Sequence, residues 1–255
     1  MFAEERLEKI IDILYKDGKV VVKDLSKQFG ISQDAIRKDL KVLEKKGFIE
    51  RTYGGAILKN QIPRLTRVEE RLKEDVEEKR IIAEKILGLL KDGDTIFLDI
   101  SSINIFLAEM LSQSRLNITV ISNCINVIYI LSKAQNRNIT LIVPEGIYDR
   151  DAGGFTGSST IESIKKFRAQ KVFIGSCGVD IKDRKISTFN MEDGNTKKAI
   201  MDIGKEVFLV MENKKFFYDG IFRFADIEDI DTIITEKKPN DEILQILKKQ
   251  GIQII

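Results

Sequence analysis

The 255-residue sequence predicts an α/β protein in two parts: an N-terminal winged helix-turn-helix and a larger, mostly parallel α/β domain. Two observations carry that expectation. Over residues 1–58 apolar positions recur at helical spacing and close on a Gly-Gly pair between extended runs; over residues 78–255 short β-branched runs alternate with helix-length segments. A stretch dense in charge, 59–77, separates the two and reads as a hinge that turns helical before the second domain.

The front elements follow in order. Leu7, Ile10, Ile11 and Leu14 mark a first helix that stops at Lys16-Asp17-Gly18. Val20 to Val22 read as a short extended piece, and Leu25 with Phe29 as a brief helix ended by Gly30. Ser32 suits the N-cap of a third helix with a core face of Ile36, Leu40 and Leu43, closed by Gly47. FIERT and AILK then flank Tyr53-Gly54-Gly55, the signal of a tight hairpin.

In the rear domain, strands are expected at 95–100, 118–122, 139–143, 171–175, 206–210, 231–235 and 251–255. Helices are expected at 78–90, 102–113, 125–133, 159–168, 196–204 and 240–250. Nearly continuous apolar strands alternating with helices indicate a parallel sheet covered on both faces. GGFTGSS (153–159) lacks the lysine and spacing of a phosphate-binding P-loop and reads as a flexible loop leading to a cap at Ser158 or Ser159.

Composition removes several function classes. The chain has no histidine, so Ser-His-Asp and Cys-His catalysis, histidine-ligated zinc and an imidazole switch are all excluded. Two cysteines, Cys124 and Cys177, cannot make a disulfide framework and read as packing residues of a cytoplasmic protein. No apolar run approaches the ~20 residues needed to span a bilayer, so no membrane association is expected. No cofactor is implied. Residues 1–60 hold 13 Lys/Arg against 10 Asp/Glu, whereas 61–255 hold 29 against 30, so the positive excess is confined to the front domain.

That excess points to nucleic acid. The outer face of the third helix presents Asp34, Arg37, Lys38, Lys41 and Lys45. A helix of this kind fits the major groove with its N-terminal residues at base edges. Ser32, Gln33, Arg37 and Lys38 are the base-proximal candidates, Lys41 lies further along the same face, and Arg51, Tyr53 and Gly54 sit on the wing. The expected partner is double-stranded operator DNA, read by a homo-oligomer (dimer or tetramer), because one such unit makes too few base contacts alone.

In the rear domain, ligands of open parallel sheets bind beyond the carboxyl ends of the strands. Asp99, Ser101 and Ser102 follow the first strand, Ser122 and Asn123 the second, and Gly146 the third. Gly175, Ser176 and Gly178 close the fourth; Asn213, Lys214 and Lys215 follow the fifth. Together they suggest a polar site for a hydroxylated anion.

The local motifs agree with both readings. DLSKQFGIS, IRKDL, LEKKG and the Gly-Gly-Ala wing closely resemble the front domain of the DeoR family of bacterial transcriptional regulators. EEKRIIAEKI, DGDTIFLD, VISN, VFIGSCGVD, NTKKAI and ENKKF continue the resemblance in order through the rear domain. The resemblance implies a sensor domain with a fold like ribose-5-phosphate isomerase, and a repressor of carbohydrate metabolism relieved by a phosphorylated sugar or related metabolite. By position it implies that Asp99, Asn123, Gly146, Gly175, Asp193, Lys197 and Lys215 line or support the effector site. Ala35, Tyr53, the Ser101-Ser102-Ile103 turn, Asp193 and Glu212-Asn213-Lys214 depart from the family pattern. Two alternatives stand beside the repressor: a sugar-phosphate isomerase using Asp193 and Lys197 as acid and base, and a protein-interaction scaffold.

Overall fold

The computed structural model describes residues 3–45, 49–58, 68–134 and 137–255. The front domain is built from α1 (Ala3–Asp17), β1 (Lys19–Val21), α2 (Val22–Phe29), α3 (Gln33–Lys45), β2 (Ile49–Thr52) and β3 (Gly55–Leu58). Ile10, Leu14, Val22, Leu25, Ile36, Leu40, Leu43 and Ile49 form one apolar core, as their helical spacing requires. Gly30 ends α2 in the left-handed region (φ 66°), and the Ser32 hydroxyl accepts from the Ala35 amide at 3.2 Å, capping α3. The extended piece at 19–21 joins the hairpin: β3 pairs antiparallel with both β1 and β2, giving the wing three strands. Asp39 turns inward from α3 and takes Arg6 of α1 at 2.5 and 2.9 Å, an ion pair fastening the third helix to the first. The expected closure at Gly47 lies outside the described residues, as does much of the charged segment.

That segment is described again from α4 (Val68–Arg71), which leads through a turn into α5 (Val76–Leu89). The rear domain then runs β4 (Thr95–Leu98), α6 (Ser102–Gln113), β5 (Ile118–Ser122), α7 (Ile125–Ser132), β6 (Ile139–Ile142), β7 (Ile147–Asp149) and β8 (Gly154–Thr156). It continues through α8 (Ser158–Ile164), β9 (Ala169–Gly175), β10 (Gly178–Asp180), β11 (Lys185–Thr188), α9 (Met191–Ile203), β12 (Gly204–Val210) and a 3-10 turn, Asn213–Phe217. β13 (Phe222–Asp226), β14 (Thr232–Ile234), α10 (Asp241–Lys249) and β15 (Gln253–Ile254) complete it.

Seven of these strands form one sheet in the order β15-β14-β12-β9-β4-β5-β6, every neighbouring pair parallel. Strand alternation sends Ile96, Leu98, Val120 and Val210 to one face, against Ile82 and Ile86 of α5, Leu107 of α6 and Val127 of α7. Phe97, Ile121, Val172, Ile174 and Leu209 pack on the other, with Ile200 of α9 and Leu247 of α10. The chain starts at β4, builds outward through β5 and β6, then returns to β9 on the opposite side of β4. The crevice beyond β4 and β9 is therefore the topological switch point, where open α/β sheets bind ligands.

Two features were not expected from the sequence. β10, β11 and β13 form a small antiparallel sheet beside the main one, and β7 with β8 makes a hairpin. The second corrects the reading of GGFTGSS. Residues 154–156 are strand, paired with 147–149, and α8 is entered through Gly157 at φ 86° with no side-chain cap from Ser158 or Ser159. The glycines of this segment have separate jobs: Gly157 turns the chain into α8, while a Cβ on Gly154 would stand 2.3 Å from the Asn123 carbonyl oxygen, so the strand can come this close only without one.

Candidate functional site

On the front domain, the expected reading face is solvent-facing. Gln33, Asp34, Arg37, Lys38, Lys41 and Lys45 are exposed along α3, and Arg51, Tyr53 and Gly54 along the wing. Tyr53 stands fully out at the hairpin tip, beside Gly54 at φ 82°. Arg37 is held by Asp34 at 2.6 Å and by the Gln33 side-chain oxygen at 3.4 Å, so the guanidinium is poised over the first turn of α3. Arg51 faces Glu44 at 3.8 Å, tying wing to helix. Ser32, exposed at the start of α3, accepts from the Ala35 amide in the cap, which leaves its O–H proton free to donate.

On the rear domain, the strand-end residues separate into three groups. The first lies at the switch point. Asp99, wholly buried after β4, accepts from the Gly175 amide at 2.9 Å and from the Asn104 side chain at 2.8 Å, and pairs with Lys197. Lys197 also faces Asp193, one turn back on α9, at 3.5 Å; Asp193 accepts from the Thr188 hydroxyl at 2.7 Å. Burial works against the Lys197 ammonium, but Asp193 and Asp99 outweigh it and hold its proton more tightly than usual. Ser101 caps α6 through the Ile103 amide, with Ser102 buried behind it. A Cβ on Gly175 would stand 2.8 Å from that of Ser101, so only glycine fits there.

The second group surrounds Glu212, buried just after β12. Its carboxylate lies 2.9 Å from Lys215 and 3.6 Å from Lys79 of α5. Burial would raise its pKa, but the two lysines outweigh burial and bring it down to about 2. Lys215 also donates to the Ser176 carbonyl at 2.9 Å, which ties this group to the loop after β9. Lys214 pairs with Asp75, and Asn213 donates from its side-chain amide to the Lys237 carbonyl at 3.0 Å and from its backbone amide to Glu236 at 2.8 Å.

The third group is Asn123 with Gly154 and Phe155. Asn123 donates to the Phe155 carbonyl at 2.9 Å, while its own Oδ1 is buried and without a partner among the described residues; the same holds for Asn104 Oδ1. Gly146 does not join these groups. It lies exposed beyond β6, against Thr160 of α8, where a side chain would collide with the Thr160 hydroxyl.

Sequence reasoning missed Asn104, Lys79 and Glu212 as site residues. Asn104 had a signal: it is a polar residue within the apolar run SINIFLAEML at the switch-point end of a helix. Lys79 had none, hidden within the charged run EEKR. An open groove of about 520 Å³ lined by Ser112, Arg115 and Lys133 lies where α6 ends, at the amino ends of the strands, and is separate from these groups.

A solvent-facing basic helix with a wing, joined to a parallel α/β domain with a charged cluster at its switch point, is the architecture of a ligand-responsive DNA-binding regulator. Comparison with known proteins is more specific. Residues 6–62 match the DeoR-like helix-turn-helix domain and residues 74–237 the DeoR C terminal sensor domain. The chain belongs to the DeoR family of transcriptional regulators. It is 30% identical to the HTH-type transcriptional repressor GlcR of Bacillus subtilis (strain 168), over 100% of this chain and 96% of that protein. It is 32% identical to the lactose phosphotransferase system repressor of Lactococcus lactis subsp. lactis (96% of this chain, 95% of that one). With the glycerol-3-phosphate regulon repressor of Escherichia coli (strain K12) it shares 29% identity, over 98% and 97%. These relatives are repressors by name, and the isomerase alternative finds no support among them. Among solved structures, the chain is similar to ribose 5 phosphate isomerase A from Neisseria gonorrhoeae, at 15% identity and a TM-score of 0.40 over 56% of this chain and 53% of that one. No helix among the described residues is long and apolar enough to cross a membrane.

Proposed function

We propose that this chain represses a carbohydrate-metabolism operon by binding its operator through α3 and the wing, and that a phosphorylated sugar at the switch-point cluster releases it. The observation that carries this reading is the joining, in one chain, of an exposed basic α3 to a buried cluster of paired lysines and carboxylates beyond β4, β9 and β12. The relatives named for glycerol 3-phosphate and for a lactose phosphotransferase system support the sugar-phosphate class.

The chemistry of the cluster suits such a ligand. Asn104 and Asn123 offer buried carbonyl oxygens with no partner, which sugar hydroxyls can satisfy. The lysines beside Glu212 offer charge to a phosphate carrying about −1.5 to −2. Arg37 and Lys38 read bases, Lys41 and Arg51 contact the backbone, and residues 59–77 act as the hinge between reader and sensor. Operator selection requires at least two reading units, so the working species is a homodimer or a tetramer.

Isothermal calorimetry of the purified chain against glycerol 3-phosphate, hexose 6-phosphates and the corresponding free sugars tests the effector class. Binding confined to phosphorylated compounds is the expected result; binding of free sugars alone overturns it. Light scattering of the free and DNA-bound chain tests assembly, and a monomer in both states would contradict it.

A further inference from the structure

The front domain rests directly on the sensor domain. α1 packs against the 3-10 turn Asn213–Phe217, and the contact falls at Gly18, just past the end of the helix. A Cβ on Gly18 would lie 3.8 Å from the Phe217 ring and 3.6 Å from Asn240 Nδ2, ordinary contact distances.

Gly18 is a junction within the front domain. Its amide donates to the Leu14 carbonyl at 2.8 Å, closing α1, and its carbonyl accepts from the Leu58 amide of β3 at 3.0 Å. A group seated at Gly18 therefore meets α1 and the wing together. α1 is in turn fastened to α3 by the pair of Arg6 and Asp39.

The seat on the sensor side is equally well tied. Asn213 joins its two parts, donating from its backbone amide to Glu236 at 2.8 Å and from its side chain to the Lys237 carbonyl at 3.0 Å. Asn240 caps α10 by accepting from the Ile243 amide at 2.9 Å, and Phe216 is buried in the sensor core. Lys215, in the same turn as Phe217, lies 2.9 Å from Glu212 and donates to the Ser176 carbonyl at 2.9 Å. With about three residues per turn, positions 215 and 217 project from different faces of a 3-10 helix. One short turn thus presents a lysine to the loop after β9 and an aromatic ring to the front domain.

We propose that this turn couples the sensor site to the DNA-reading domain through Phe217, seated at Gly18. The inference rests on the sugar-phosphate reading above and adds the route by which the ligand acts. The docked arrangement is the operator-binding one. A ligand that takes Lys215 as a donor competes with Glu212 and the Ser176 carbonyl; the turn shifts with its lysine, Phe217 leaves its seat, and the front domain is released on the 59–77 segment. Ligand and operator then favour opposite arrangements, as coupling requires. The route is one contiguous set of packed and hydrogen-bonded groups: Lys215, Phe217, Gly18, α1, the Arg6–Asp39 pair and α3.

Fluorescence anisotropy on the promoter fragment compares the unaltered chain with Phe217→Ala, Phe217→Leu and the control Tyr129→Ala, an exposed aromatic on α7. Each is measured without ligand and with whichever of glycerol 3-phosphate and the hexose 6-phosphates the unaltered chain binds in calorimetry. Because coupling is reciprocal, Phe217→Ala should bind DNA about 5-fold or more weakly without ligand and hold the ligand no less tightly. Added ligand should then weaken its DNA binding by less than about 2-fold more. Phe217→Leu falls between the two chains, and Tyr129→Ala matches the unaltered one. A Phe217→Ala chain that folds by circular dichroism and keeps the full ligand-dependent loss of DNA binding overturns the inference while leaving the sugar-phosphate reading intact. Loss of ligand affinity in Phe217→Ala would place the residue in the ligand site and equally overturn the coupling role. An unaltered chain that binds no phosphorylated compound overturns the effector reading instead; the ligand-free comparison then decides this inference, and equal DNA affinity in the two chains contradicts it.

Discussion

Replacing Lys197 by methionine would leave Asp99 as a wholly buried carboxylate with no cation beside it. Breaking a buried pair by removing one partner costs about 3–5 kcal/mol, because the remaining charge is uncompensated. Two hydrogen bonds, from the Gly175 amide and Asn104, still hold the carboxylate, which places the expected loss near the lower figure, about 3 kcal/mol. Burial already pushes the Asp99 carboxyl up from its usual value with Lys197 opposing, and removal of Lys197 pushes it further. An acid whose folded pKa is raised loses stability as pH rises above its unfolded value, so the deficit of Lys197→Met is smaller at pH 4, near the ordinary carboxylate value, than at pH 7. Asp99→Asn in the same chain removes the stranded charge and restores most of the loss. Urea unfolding followed by far-ultraviolet circular dichroism at both pH values measures each quantity. A deficit under about 1 kcal/mol, or a double variant that loses the sum of the single losses, would refute the buried-pair account.

Three further outcomes follow from the geometry. Arg37→Ala should cost roughly 1–3 kcal/mol on the specific operator and relax its sequence preference, whereas Lys45→Ala weakens operator and random DNA alike; fluorescence anisotropy on both sequences separates them. Glu212, depressed from 4.5 to about 2, contributes up to about 3 kcal/mol of stability that is present above pH 4.5 and is lost as pH falls towards 2. Glu212→Gln is therefore less stable at pH 7 by a margin that shrinks on acid titration. Gly175→Ala forces a Cβ to 2.8 Å from that of Ser101 and should lower stability by about 1–3 kcal/mol in the same urea assay.

Much of the fold was legible because its signals are periodic. The strand at 118–122 and the helix at 102–113 were read to the residue, since β-branched runs and a serine cap mark their ends. The helix expected at 196–204 begins at Met191 instead, five residues earlier, where Asn190 caps it through the Glu192 amide. The polar sequence NMEDGN concealed this first turn because its apolar face opens only at Ala199 and Ile200. The small antiparallel sheet went unread for a related reason: KIST and FRFAD are short, flanked by charges, and pair across sequence distances that no local pattern shows. Among the site residues, Asp99, Gly175, Asp193 and Lys197 were legible from their places after strands and in family motifs, and the fold brings these four together. Glu212 and Lys79 were not, because their importance depends on which charges meet in the packed fold, and that is a property of packing rather than of spacing.

The account's central claim is that one ligand class controls DNA binding through this sensor domain, and anisotropy of labelled promoter DNA tests it most directly. The unliganded chain should bind the fragment next to its own gene, and saturating phosphorylated sugar should weaken that binding by roughly 5–150-fold, the range of a coupling of ~1–3 kcal/mol. Free sugars should leave it unchanged. DNA affinity that is indifferent to every phosphorylated sugar tried, or that responds equally to the free sugars, would contradict the claim.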